Sequence, residues 1–429
     1  MIAVIQRQQG ILDHDICFKE FEGSQIHRIH GFAAKFPPQL PRYFIQALTK
    51  PGDTILDPMM GSGTVLVEAM LCERKSIGID IDPLAILLSK VKTSLCDGCT
   101  IIRSAKQIAS RASVALMEKG SISGKIDLDE YLTKYDMNTR KFFSYWFPPN
   151  VIAELSLLVD GINQSKEECV RDALKVALSS IIVTKSAGVS LARDITHSRP
   201  HKVPNKNVKP AISQFEKAAQ KIARILEEER KKTEGLFYFS PLILEGDARA
   251  LPVKNGSIRL IITSPPYAAA IDYMRAHKFS LLWLGYRMQY LSWLRSRYIG
   301  LESRGSTLET ESETANNALE RLAICDLAKA QAIAKYFNEM RLVIREMYSV
   351  LQTGGYAVLV VGPSTARGVK VLTHKALVEI GAEEGFSLVG IKERKIDRDW
   401  RQLPLSNNSN KEGIEARIHE EYVMVLGKR

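Results

Sequence analysis

The chain has 429 residues, 45% apolar and 25% charged, the balance of a soluble globular protein and too rich in apolar side chains for long disorder. Lysine and arginine number 59 against 48 aspartates and glutamates, a formal charge of +11 with a pI near 9.2, which favours a polyanionic partner without naming one. No apolar run approaches the ~20 residues that cross a bilayer, and six cysteines spread over a long chain without a secretory signal imply a reducing cytoplasm, with no disulfide framework expected.

The length exceeds what one core usually organises, and the pattern along the chain points to one domain with a large insertion. Asp53-Thr-Ile-Leu-Asp57 predicts a short buried strand ending in an acid, followed by Pro58, a Gly61-Ser62-Gly63-Thr64 turn and a helix through Cys72. Ser76-Ile-Gly-Ile-Asp80 predicts a second strand, again ending in an acid, and Pro83 opens a helix to about Val91. Cys96 and Cys99 have zinc-knuckle spacing, but no second pair follows, so no metal is expected.

From 96 to 240 the alternation stops and the pattern is mostly helical, with no strand. Between its helices, residues 186–210 are basic, broken by three prolines, and predict a loop. Strands resume at Pro241-Leu-Ile-Leu-Glu-Gly246-Asp247 and Ile258-Arg-Leu-Ile-Ile-Thr-Ser264, and a helix is predicted from about Ala269. Residues 300–318, polar and rich in Ser, Thr, Glu and Asn, predict a mobile surface loop. A helix near 326–351, a strand at 356–361, a helix near 373–384 and strands near 386–395 and 421–426 complete the pattern. The fold class is therefore α/β, a doubly wound Rossmann-like sheet with a large, mostly helical insertion between the second and third strands. Its parts run 1–95, 96–240 and 241–429.

A glycine turn after a strand lets backbone approach a ligand closely, and the helix start beyond it presents N–H groups to an anion. Asp57 to Thr64 has neither a P-loop lysine nor the dinucleotide glycine spacing, so a phosphate is not its obvious ligand. Asp80 stands where such folds place an acid against ribose hydroxyls, and Asp247 stands where it can accept from an adenine amino group. The fourth strand runs into Thr263-Ser264-Pro265-Pro266-Tyr267. The prolines hold the Ser264 or Pro265 carbonyl and the Ser264 hydroxyl as acceptors toward one point, and Tyr267 offers a ring to stack on a base. Acceptors that favour a tetrahedral nitrogen raise the nucleophilicity of an exocyclic amine, with no covalent intermediate or metal required.

These residues resemble the DNA amino-methyltransferases, which methylate cytosine N4 or adenine N6 from S-adenosylmethionine. His30-Gly-Phe-Ala-Ala-Lys35-Phe36-Pro37-Pro38 is similar to the family's cofactor segment, Asp57 to Thr64 to its glycine loop, Gly246-Asp247-Ala248 to its adenine-binding motif, and Ser264 to Tyr267 to its catalytic tetrapeptide. Tyr145-Trp-Phe-Pro-Pro149 also resembles a segment of some members. The resemblance implies S-adenosylmethionine contacts from Lys35, Phe36, Asp57, Pro58, Gly61, Ser62, Gly63, Thr64, Asp80, Asp82, Asp247, Ala248 and Thr263, and catalysis by Ser264, Pro265, Pro266 and Tyr267.

Serine before Pro-Pro-Tyr is commoner among cytosine-N4 members, so the resemblance favours cytosine. Adenine N6, guanine N2 of tRNA, and an inactive cofactor-binding regulator stand as alternatives. The insertion is assigned to recognition of double-stranded DNA, through Arg193, His197, Arg199, Lys202 and Lys206, with Arg275 beside the catalytic turn. Site-specific methylation also implies a place in restriction and modification, with a companion restriction endonuclease as a possible partner.

Overall fold

The structure, a computed structural model, describes residues 10, 12, 15–18, 23–32, 35, 37–94, 96–123, 126–184, 188–193, 200–233, 239–268, 272–301, 307–396 and 419–429. Short runs of isoleucine, leucine and valine form β1 (Thr54–Asp57), β2 (Lys75–Asp80), β3 (Leu242–Glu245), β4 (Ile258–Thr263) and β5 (Leu351–Val361), and after a small hairpin of β6 (Ser364–Ala366) and β7 (Val369–Val371) come β8 (Ser387–Lys395) and β9 (Glu420–Gly427). The main sheet has the order β3-β2-β1-β4-β5-β9-β8. The pairs from β3 to β5 are parallel, and β9 enters antiparallel to both β5 and β8. This is a doubly wound α/β fold.

Both faces of the sheet are covered, which is why its central strands read as continuous apolar runs. Along β5, Val358 and Val360 pack with the helices Gln39–Leu48 and Thr64–Leu71. Ala357, Leu359 and Val361 face the opposite way, against Glu313–Cys325, Leu327–Val350 and Thr373–Glu383. Between β2 and β3 the described residues make the helix Pro83–Thr93 and then six more, Gly98–Ser123, Leu128–Leu132, Met137–Trp146, Pro149–Asn163, Glu168–Ile182 and Ala211–Thr233. The insertion has no separate core. Its Phe143, Leu155, Leu174 and Phe215 share one apolar cluster with Leu84 and Leu88 below the sheet edge and with Phe279 and Trp283 of the helix Tyr273–Trp283.

Two expectations need correction. The predicted loop at 300–318 gives way to helix from Glu313: Ser312 caps it by accepting from the Ala315 N–H at 3.0 Å. Buried Ala315, Ala318, Leu319 and Leu322 supply a helical apolar stripe that the polar flanks obscure. Cys96 and Cys169, in a chain for which no disulfide was expected, are joined as one, with Cα atoms 5.8 Å apart. The hairpin of β6 and β7 was not anticipated, although Arg367 and Gly368, with φ of 49° and 80°, make the left-handed pair that tight hairpins require.

Trp283 carries much of the union between insertion and sheet: its ring is buried and stacks on Phe143 at a centroid distance of 3.8 Å and 11°. Replacing it with alanine is expected to lower unfolding free energy by about 3–5 kcal/mol, read as a fall in urea midpoint; an unchanged midpoint would contradict this account of the packing.

Candidate active site

The strand order reverses between β1 and β4, and at their carboxyl ends the flanking crossovers diverge to leave a cleft. The cavity there is lined by Lys35, Asp57, Pro58, Gly61, Ser62, Thr64, Asp80, Asp82, Asp247, Ala248, Ser264 and Pro266, all anticipated from sequence. Phe32, Met59, Met60, Ile81, Tyr273, Tyr298 and Ile299 supply apolar walls. Gly63, Thr263, Pro265 and Tyr267 stand outside this lining, and Phe36 lies outside the described residues.

The glycine loop is shaped by what lies beneath it. Gly63 has φ of 75°, and a Cβ there would meet Ser89 Oγ at 2.6 Å, so only glycine fits without displacement. Lys92, fully buried in the helix Pro83–Thr93, donates its Nζ to the Ser62 carbonyl at 2.8 Å. Burial holds that ammonium well below the usual lysine range.

Each acid has a different environment. The Asp80 carboxylate accepts from the Gly61 N–H at 2.8 Å and the Asp82 N–H at 2.9 Å, yet burial and the neighbouring Asp82 push it up to about 6. Burial drives Asp57 further, to about 7, against the Met59 N–H that it accepts at 3.2 Å. For Asp82 burial also acts upward, but His277, with Nδ1 2.5 Å from Oδ2, outweighs it and keeps the carboxylate below its usual range. Lys35, desolvated and close to Arg28, is lowered to about 8, its Nζ donating to the His27 carbonyl at 2.9 Å.

Asp247 departs from expectation. Its Oδ1 accepts from the Arg249 N–H and Nε at 3.0 and 2.9 Å, and its Oδ2 from Arg249 and Arg297 Nη2 at 2.7 and 3.1 Å. These donors overcome its burial and hold it at about 2. All four lone-pair positions of the carboxylate are engaged, so an adenine amino group is accepted only when a donor yields. Arg297, half-exposed, makes the longest of the four bonds.

At the Pro265-Pro266 turn the Ser264 hydroxyl donates to the Val360 carbonyl at 3.1 Å. Its single proton is thereby used, leaving oxygen lone pairs as its remaining capacity. Tyr267 is buried, at 6% exposure, with its hydroxyl on Glu421 Oε1 at 3.0 Å. The hydroxyl end of that ring is thereby anchored to the sheet.

A family model of N6/N4 methyltransferases, described as DNA methylase, matches residues 10–90. Type II methyltransferase M.MjaII of Methanocaldococcus jannaschii is 26% identical over 379 residues, covering 70% of this chain and 70% of that protein. M.MvaI of Kocuria varians is 23% identical over 379 residues, with 82% and 80% covered. M.BglI of Bacillus subtilis matches over a shorter stretch, 52% identical over 56 residues and 13% and 16% covered. The chain is thus similar to Type II methyltransferases along most of its length, and its residues 10–90 match a DNA methylase family model.

The basic segment of the insertion is only partly a free surface. Arg193 is exposed beside the bridge that pairs Ala192 with Lys202, and Lys202 Nζ lies 4.0 Å from the centroid of the exposed Tyr145 ring. Lys206, expected at the DNA face, turns inward and donates to the Thr184 and Ala192 carbonyls at 3.2 and 2.5 Å. Arg275 pairs with Asp272 at 2.9 Å, which also holds Arg295. His197 and Arg199 lie outside the described residues. Among the described residues no helix is long and apolar enough to cross a membrane. Lys92 and the run from Arg297 to Ile299 went unnoticed in the sequence, since a lone buried lysine and a short post-helical stretch match no motif.

Asp57 is destabilising as an ion. A carboxyl that titrates near 4 unfolded and near 7 folded contributes stability at low pH, which is lost as pH rises between those values. Asp57→Asn retains an acceptor for the Met59 N–H and removes that loss. Its melting temperature is expected to exceed the parent's by several degrees at pH 8 and to converge with it near pH 4; a constant difference between those pH values would refute the assignment.

Proposed function

We propose that the chain transfers a methyl group from S-adenosylmethionine to the exocyclic amino nitrogen of a flipped DNA base, with cytosine N4 favoured. The observation that carries this is Ser264, at the switch point beside a cavity of acids and one lysine, its hydroxyl proton already donated to Val360. The cavity suits the cofactor's chemistry. Lys35 would hold its carboxylate, the buried Asp57 its ammonium, Asp80 the ribose hydroxyls, and Phe32 and Ile81 the apolar surfaces. When bound, the cofactor supplies an electrophilic methyl on a sulfonium.

The chain's own part is to orient and polarise the amine. The Ser264 hydroxyl oxygen and the carbonyl at the Pro265-Pro266 turn accept hydrogen bonds from its N–H groups, favouring a pyramidal nitrogen whose lone pair is directed outward. A base in a duplex cannot reach this depth, so it must leave the stack at a cost of about a few kcal/mol. Serine in place of Asp or Asn, together with its family correlation, favours cytosine; the same acceptors serve adenine. Mass spectrometry of nucleosides from plasmid DNA of expressing cells, beside a Ser264→Ala, Pro266→Ala control, is expected to show N4-methylcytosine with the intact chain alone. N6-methyladenine would overturn the base assignment, and no methylated DNA base would move the substrate to RNA.

Arg193 and Lys202 are proposed to bind phosphates, with Tyr145 beside them, and a companion restriction endonuclease of the same specificity fits this role. Changing both cations to glutamine is expected to reduce the slope of log affinity for DNA against log salt by about 0.9 for each phosphate no longer neutralised; an unaltered slope would remove the segment from the interface.

A further inference from the structure

The Pro265-Pro266 turn restrains backbone only, and leaves both side-chain torsions of Tyr267 to be set by something else. That something comes from the far, antiparallel end of the sheet. The Tyr267 hydroxyl donates to Glu421 Oε1 at 3.0 Å, while Glu421 Oε2 accepts from Arg394 Nε at 3.1 Å and Nη2 at 2.9 Å. Arg394 is only 4% exposed and faces Glu421 directly as its register partner between β8 and β9. A carboxylate fixed by a buried guanidinium is a strong and directional acceptor.

The ring has a second constraint at Gly362, which follows β5. A Cβ on that residue would lie 2.9 Å from Tyr267 Cε2 and 3.1 Å from Cζ, so the ring rests on bare backbone. Tether and floor together define one ring plane beside the catalytic turn.

We propose that Glu421, itself held by Arg394, is a positioning residue of the methyl transfer, fixing the ring plane of Tyr267 through its hydroxyl. This rests on the reading that Tyr267 meets the target base. Glu421 touches neither base nor cofactor in this role, so its effect on the transfer step acts through the ring orientation, separately from the stability lost when Arg394 is left unpaired.

The test is a double-mutant cycle in single-turnover methyl transfer to duplex DNA, with DNA KM and cofactor affinity measured alongside. Tyr267→Phe and Glu421→Ala are each expected to slow transfer about tenfold, the effect of losing one hydrogen bond to a charged group. KM and cofactor affinity should stay within about twofold, and the double variant should be no slower than either single one. If Glu421→Ala does not fold, Glu421→Gln enters the same cycle and is expected to lose less, since its amide oxygen still accepts. Equal losses from the Glu421 change in the parent and in the Tyr267→Phe background would overturn the proposal, as would a loss confined to cofactor affinity. Tyr267→Ala with undiminished transfer would sink the reading of Tyr267 itself, a result distinct from failure of the tether.

Discussion

Burying a carboxyl without a cation is unfavourable, and the cleft at the end of β1 does so with Asp57 while giving its neighbours different partners. Asp80 leans on two backbone N–H groups, Asp82 on His277, and Asp247 on two arginines. The result is a graded row of acids along one cavity, from about 7 at Asp57 to about 2 at Asp247. Such a row suits a zwitterionic, cationic ligand, which supplies the missing positive charge where the protein lacks it. The stability forgone at Asp57 is of the kind that functional sites retain.

The segment that carries Lys35 into this cavity is held from both sides. His27 and Arg42 share the buried Glu68 at 2.7 Å each, on the helix that follows the glycine loop. Ser24 bonds to Glu229 of the insertion, and His30 reaches Ser179, which in turn bonds to Ser280. Polar contacts thus tie the segment before the glycine loop to the insertion, and the insertion to the helix Tyr273–Trp283, beside one shared apolar core.

Partner choice is what the linear pattern left open. Lys206 belongs to a run of cations that resembles a solvated face, but two carbonyls of its own segment lie within reach and capture it. Asp247 has the position of an adenine acceptor, but Arg249 is two residues away and Arg297 folds back onto it. Tyr267 follows two prolines that set its backbone, whereas the residue that holds its hydroxyl is 154 positions away.

The strands, their terminal acids, the glycine loop and the Pro265-Pro266 turn were legible in the linear sequence because each depends on a local pattern. Buried runs of four to six residues mark parallel strands, glycines mark left-handed backbone, and prolines fix φ. The sheet order and the shared core of the insertion were decided only by tertiary structure, as were the charge state of each acid and the Glu421–Arg394 tether on Tyr267. Those properties depend on desolvation and on pairs of side chains distant along the chain, and no local pattern encodes either.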